Sequence, residues 1–96
     1  GNLIFDDSKL LAIVNNDISK NILKYWNDNL SEKSAFDEGF IKQLVFSTQE
    51  KFKVKGKTIF HPLRIALFGQ PDGPDLFTLV SILGLKETKN RLSKFI

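Results

Sequence analysis

The sequence predicts an all-α domain on three observations. Apolar residues recur at steps of three and four through nearly every segment, glycines and prolines fall at segment ends, and alternating strand patterns are short. From Ser8 to about Trp26, Leu10, Leu11, Val14, Ile18, Ile22 and Trp26 form one apolar stripe, which the cluster Asn15-Asn16-Asp17 can kink or split. Ser34-Ala-Phe-Asp37 reads as a capping box with Asp in place of Glu, and Phe36, Phe40, Leu44 and Val45 continue on one helical face. That helix runs to about Phe52 and ends in a lysine-rich loop around Gly56. A short helix from Pro62 to Phe68 follows. Proline suits a first turn because its missing N–H is not needed there, and Gly69 suits the left-handed end. Next come a helix from Pro74 to Leu83, stopped by Gly84, and a last one from about Lys86 to Phe95 with Glu87 and Arg91 at i,i+4. Phe52-Lys-Val-Lys and Thr58-Ile-Phe are the nearest approach to strands, and both are assigned to a loop.

Composition narrows the function classes. Ninety-six residues with 42% hydrophobic content and nine Phe suffice for one core. The absence of Cys excludes disulfides and thiolate metal sites, and no metal site is expected. No apolar run approaches the roughly 18 residues of a membrane span. The start, Gly1-Asn-Leu-Ile-Phe-Asp-Asp7, has no basic region ahead of an apolar segment. The expectation is a cytoplasmic chain with no membrane contact, and a first residue other than Met is compatible with a fragment. Catalysis is not expected: His61 is the one histidine, it has no partner His or Cys, and beside Pro62 it reads as a helix N-cap neighbour. No glycine-rich phosphate loop is present. Trp26 and Tyr25 lie on or near an apolar stripe and read as core.

The net charge of +3 hides an asymmetry. Residues 1–50 hold five Lys against eight Asp/Glu, whereas residues 51–96 hold seven Lys and two Arg against three acids. The basic half contains the stretch His61-Pro-Leu-Arg64 to Gly73-Pro-Asp-Leu-Phe77, in which Arg64 has no carboxylate on its own helix and a second helix opens a few residues later. Unpaired N–H groups at that helix start, beside a planar cationic fork, suit a base or a phosphate. Lys51, Lys53, Lys55 and Lys57 precede the motif. They are either a solvated face or a set of phosphate contacts, with Lys55 and Lys57 nearest to it. Phe77, two or three positions inside its helix, can face the core or the loop.

These residues resemble a known family. Gly56-Lys57, Phe60-x-Pro62-Leu63-Arg64-x-Ala66-Leu67-x-Gly69, Gly73-Pro74-x-Leu76, Leu83-Gly84 and Arg91-Leu92 are similar in type and spacing to the C-terminal anticodon-binding region of bacterial-type glutamyl-tRNA synthetases. The likeness is specific from about Lys55 to Ile96 and is only a compatible helical pattern upstream. It implies a multihelical cage domain of a class I aminoacyl-tRNA synthetase. The chain 1–96 would be one such domain from a larger enzyme, with N-terminal helices in 1–54 and the anticodon-binding helices in 55–96. The implied partner is the tRNA for glutamate, bound by a monomer and without DNA. By the same resemblance Arg64 meets an anticodon base, and Gly73, Pro74, Leu76 and Phe77 line the pocket for the first two bases. Cofactors are expected only in the absent catalytic domain, which would use ATP and Mg2+. This chain lacks the His-Ile-Gly-His-like and Lys-Met-Ser-Lys-Ser-like signatures of that domain. The family commonly has Leu-Thr-Gly where this chain has Leu67-Phe68-Gly69, and Leu-Gly-Lys where it has Leu83-Gly84-Leu85. Gly73 offers no hydroxyl, so base contacts there would come from the backbone.

Two other classes fit parts of the pattern. A helical protein-interaction module with a basic face would show the same stripes, but it would not require the Pro-Leu-Arg and Gly-Pro-Asp-Leu pair at this spacing. A helical DNA binder would need several Arg/Lys at i, i+3, i+4 on one recognition helix, and no segment supplies them.

Overall fold

A computed structural model of the protein describes residues 12–30, 36–70 and 72–96. Its regular elements are α1 (Asp17–Asn29), α2 (Glu38–Phe52), α3 (Lys57–Phe68), α4 (Leu76–Leu83) and α5 (Leu85–Ser93), with no strand among the described residues. All five helices supply one core: Ile22, Leu23 and Trp26 from α1, Ile41, Leu44 and Val45 from α2, Ile59, Leu63, Ala66 and Leu67 from α3, Leu76 and Val80 from α4, and Leu92 from α5.

The asparagine cluster does split the first stripe. Residues 12–14 are helical, the chain bends at Asn15 and Asn16, and α1 restarts with the Asn16 side chain accepting from the Ser19 N–H at 2.8 Å. Asn is a strong N-cap because its short carbonyl satisfies an otherwise orphaned donor. The upstream start expected at Ser8 lies outside the described residues. Trp26 is fully buried, and its indole donates to Thr48 Oγ1 at 3.0 Å, which ties α1 to α2.

Three helix starts differ from the sequence reading. Asp37 itself caps α2, accepting from the Phe40 N–H at 2.9 Å from an extended backbone, so it is the cap and not the third residue of a capping box; Ser34 lies outside the described residues. α3 begins at Lys57, which puts Thr58, Ile59 and Phe60 in a helix and Pro62, His61 and Arg64 in its second turn. Pro62 costs about 3 kcal/mol in a helix interior, since it leaves the Thr58 carbonyl without its donor. Burying Ile59 on the same face as Leu63, Ala66 and Leu67 returns about 1.5–3 kcal/mol, and exposed Thr58 can turn its carbonyl to water. Gly56, at φ 63°, turns the chain into this helix, and its carbonyl accepts from Ile59 and Phe60 at 3.0 Å. α4 begins at Leu76 and not at Pro74, because Asp75 can cap where Gly73 has no side chain to do so.

Three C-terminal ends follow the sequence closely, while α1 runs on from Trp26 to Asn29 and α5 stops at Ser93, short of Phe95. α2 stops at Phe52 with Lys53 left-handed, α3 stops at Gly69, and Gly84 at φ 90° closes α4 and opens α5 within one residue. Arg91 then braces α3 from outside: its Nε donates to Glu87 at 2.8 Å and its Nη1 to the Leu67 carbonyl, one of the unpaired acceptors of the last turn of α3. Arg91→Ala should destabilise the domain by about 1.5–3 kcal/mol, the range for a hydrogen bond to a charged group, as read by denaturant unfolding. The hydrogen bond from Arg91 holds the Glu87 carboxyl below its ordinary value. A depressed folded value means that Glu87 contributes stability above the unfolded carboxylate range and loses it as pH falls through the folded one. Glu87→Gln should abolish that part of the acid sensitivity while leaving most of the Arg91 contribution.

Candidate nucleic-acid interface

α3 is buried on most of its circumference. Beyond the exposed Lys57 and Thr58, its Ile59, Pro62, Leu63, Ile65, Ala66 and Leu67 are buried, and Phe60, His61, Arg64 and Phe68 stay half-buried. Lys57, Phe60, His61, Arg64 and Phe68 stand at i, i+3, i+4, i+7 and i+11, which makes them one stripe. The open face of an otherwise enclosed helix therefore consists of two cations, an imidazole and two aromatic rings.

Arg64 meets the loop before α4 on this stripe. A Cβ added to Gly73 would lie 3.3 Å from Arg64 Nη1, so the guanidinium lies close against the loop, and any side chain at 73 would push it aside by a few tenths of an ångström. Among the described residues no carboxylate comes within ion-pair range of Arg64. Among these residues its fork keeps no carboxylate partner that a ligand would have to displace. Gly73 and Pro74 are exposed beside it.

The opening of α4 differs from the sequence expectation in a way that bears on ligand choice. The Asp75 carboxylate accepts from the Phe77 N–H at 3.2 Å and from the Thr78 hydroxyl at 3.0 Å. An acidic cap already occupies one of the orphaned donors that a phosphate would need, the Phe77 N–H, and its charge repels anions. What remains suited to RNA at this point is the guanidinium and the loop backbone.

Leu76 and Phe77 separate. Leu76 is 2% exposed and belongs to the core, so its side chain offers almost no surface to a base. Phe77 is half-buried: its ring meets Phe60 edge to face, with centroids 6.3 Å apart at 81°, and Lys42 Nζ lies 5.6 Å from its centroid. Phe60 and Lys42 are the two residues at this surface to which the sequence alone assigns no role. Phe60 carried a signal as the first residue of the Phe60-x-Pro62-Leu63-Arg64 pattern, though the loop assigned there hid that it lies one turn before Arg64. Lys42 carried none, because nothing local links it to a ring that follows it by 35 positions.

The lysine series diverges. Lys51 sits over the Tyr25 and Phe52 rings at 5.5 and 5.7 Å, and Lys53 leans toward Glu50 at 4.0 Å. Lys55 and Lys57 stay exposed on either side of Gly56, and Lys57 is on the Arg64 stripe, about 10 Å away at 1.5 Å per residue. His61 lines an open cavity of about 360 Å³ with Lys57, Ile18 and Val54, inside α3 and not at its cap. No group of three or more potential metal ligands occurs among the described residues, and no helix there is long and apolar enough to cross a membrane.

The class is thus an all-α domain with a cationic and aromatic face at the junction of α2, α3 and α4. The chain belongs to the anticodon binding domain family, whose model matches residues 4–96. Among its relatives, a glutamate–tRNA ligase of Sulfurihydrogenibium sp. (strain YO3AOP1) is 33% identical over 75 residues, 78% of this chain and 16% of the ligase. One of Oceanobacillus iheyensis is 31% identical over 90 residues, covering 94% of this chain and 18% of the ligase. One of Staphylococcus xylosus is 27% identical over 99 residues, covering 98% of this chain and 82% of that protein. The chain thus spans only 16% and 18% of the length of the Sulfurihydrogenibium and Oceanobacillus ligases. No solved structure matches it significantly.

Proposed function

We propose that this chain grips the anticodon of the tRNA for glutamate, as the C-terminal domain of a cytoplasmic ligase that attaches glutamate to that tRNA. The observation that carries the reading is Arg64: a guanidinium with no ion pair among the described residues, on the open stripe of α3 and seated against Gly73, in a chain of the anticodon binding domain family. Single-stranded bases are read by being splayed out, stacked on planar groups and hydrogen-bonded at their edges, and a guanidinium offers both a plane and a fork. Arg64 meets an anticodon base, Gly73 and Pro74 present backbone to it, and Phe77 shapes the wall. Leu76 holds α4 in place from the core. Lys55 and Lys57 contact phosphates at the far end of the stripe. The ligation chemistry, with ATP and Mg2+, belongs to the remainder of the enzyme. The domain acts as a monomer, and on tRNA in preference to DNA, since none of the described helices carries a run of Arg/Lys suited to a major groove.

Titration of this chain with the tRNA and with duplex DNA, across a salt series, tests the reading. tRNA should bind weakly but selectively, with affinity falling by about an order of magnitude or more between low and physiological salt. Lys55→Ala and Lys57→Ala should each weaken binding by a similar modest factor whatever the anticodon, because phosphates carry no sequence information. Salt-independent affinity, or equal affinity for DNA, would count against the basic face as the site.

A further inference from the structure

Lys42 lies on α2, outside the segment that carries the anticodon motif, yet it ends at the same surface. Its ammonium stands 5.6 Å from the centroid of the Phe77 ring, Phe77 meets Phe60 edge to face, and Phe60 precedes Arg64 by one turn of α3. Three helices thus build a single row in which two cations flank two rings. Lys42 is exposed, and among the described residues it makes no ion pair. Glu38, one turn earlier on α2, turns instead toward the Thr78 hydroxyl at 3.4 Å, whose single proton it shares with Asp75 at 3.0 Å.

This arrangement changes what Phe77 can do. One of its faces lies under an ammonium and its flank is held by Phe60, so it is a poor open platform for a base. It is well suited to fixing the position of a cation. A cation–π contact at an exposed site holds the ammonium without neutralising it, so the charge and its three donors remain available. An ammonium is a compact point charge with no plane, which matches a phosphate oxygen better than a base edge.

We propose that Lys42 is a phosphate-binding residue for the RNA strand whose base meets Arg64, with Phe77 as the ring that positions its ammonium. This rests on the anticodon reading above. The strand would run along the row with a base at the Arg64 and Gly73 end and a phosphodiester at the Lys42 end. The N-terminal part of the chain would then contribute directly to tRNA binding.

The test is a titration of the chain with the tRNA for glutamate and with a version carrying a changed anticodon, across a salt series, for the parent, Lys42→Met, Lys42→Arg and Arg64→Ala. Lys42→Met keeps an unbranched side chain over the ring and removes the charge. It should weaken both tRNAs by the same factor and reduce the slope of log affinity against log salt by about 0.7, the value for one phosphate contact on a single strand. Lys42→Arg should restore most of the affinity and the slope. Melting of each variant without tRNA should show Lys42→Met close to the parent. An unchanged slope in Lys42→Met, or a loss confined to the correct anticodon, would overturn the phosphate role while Arg64→Ala still loses anticodon discrimination. A parent chain that binds neither tRNA, or an Arg64→Ala variant that discriminates as the parent does, would overturn the anticodon reading and this inference with it.

Discussion

Leu76→Ala is expected to cost the domain about 2–5 kcal/mol of stability and to weaken its binding to every tRNA equally. The side chain is 2% exposed and packs in the cluster that joins all five helices, so its truncation leaves a cavity at the first residue of α4. In a domain of this size each kcal/mol lowers the melting temperature by roughly 4–8 °C, so a drop of about 10 °C or more should appear in a thermal scan. Phe77→Ala should behave differently. The ring is half-buried between Phe60 and Lys42, so its loss disturbs the surface more than the core. Melting each variant beside its tRNA titration separates the two roles. A Leu76→Ala protein that melts like the parent and loses only its correct tRNA would show that Leu76 lines the base pocket and is not core.

The second large effect concerns recognition. Arg64→Ala, placed in the whole of the proposed ligase, is expected to weaken discrimination at the anticodon by about 1–3 kcal/mol for each base it no longer holds, roughly 5- to 150-fold in charging efficiency. The fold should survive, because Arg64 is half-buried and no carboxylate depends on it among the described residues. Arg64→Lys should rescue little of that discrimination. Lysine keeps the charge but has neither the plane that stacks on a base nor the fork that bonds two edge atoms. Charging assays with the correct tRNA and with anticodon-swapped versions provide the measure. If Arg64→Lys charges as the parent does, the arginine serves the fold or a phosphate and does not read a base.

The all-α class and the family were legible in the sequence for definite reasons, whereas Arg64, expected in the first turn of a helix opened by Pro62, lies in the second turn of α3. Apolar steps of three and four place Ile22 and Trp26, and Leu44 and Val45, on buried faces, although Ile18 of the first stripe is exposed. Gly69 and Gly84 end helices because their positive-φ backbone is a local property. The anticodon motif was recognisable from about residue 55 onward, and the family match extends the same identity back to residue 4.

Helix starts were less legible, since several nearby residues could serve as caps and tertiary burial chose among them. Pro62 is a good first residue taken alone, but the core's gain from Ile59 drew α3 upstream past it. Asp75 outcompeted the Gly73-Pro74 pair as the start of α4 and so took the Phe77 N–H and set a negative charge where a phosphate would have docked. What the sequence determined by itself was therefore periodic and local: the helices, their glycine ends, the charge imbalance and the motif around Arg64. Which of two adjacent residues, Leu76 or Phe77, enters the core was decided only by tertiary packing, and so was the meeting of Lys42 with Phe77. Those outcomes depend on how helices distant in sequence lie against one another, and local spacing carries no information about that.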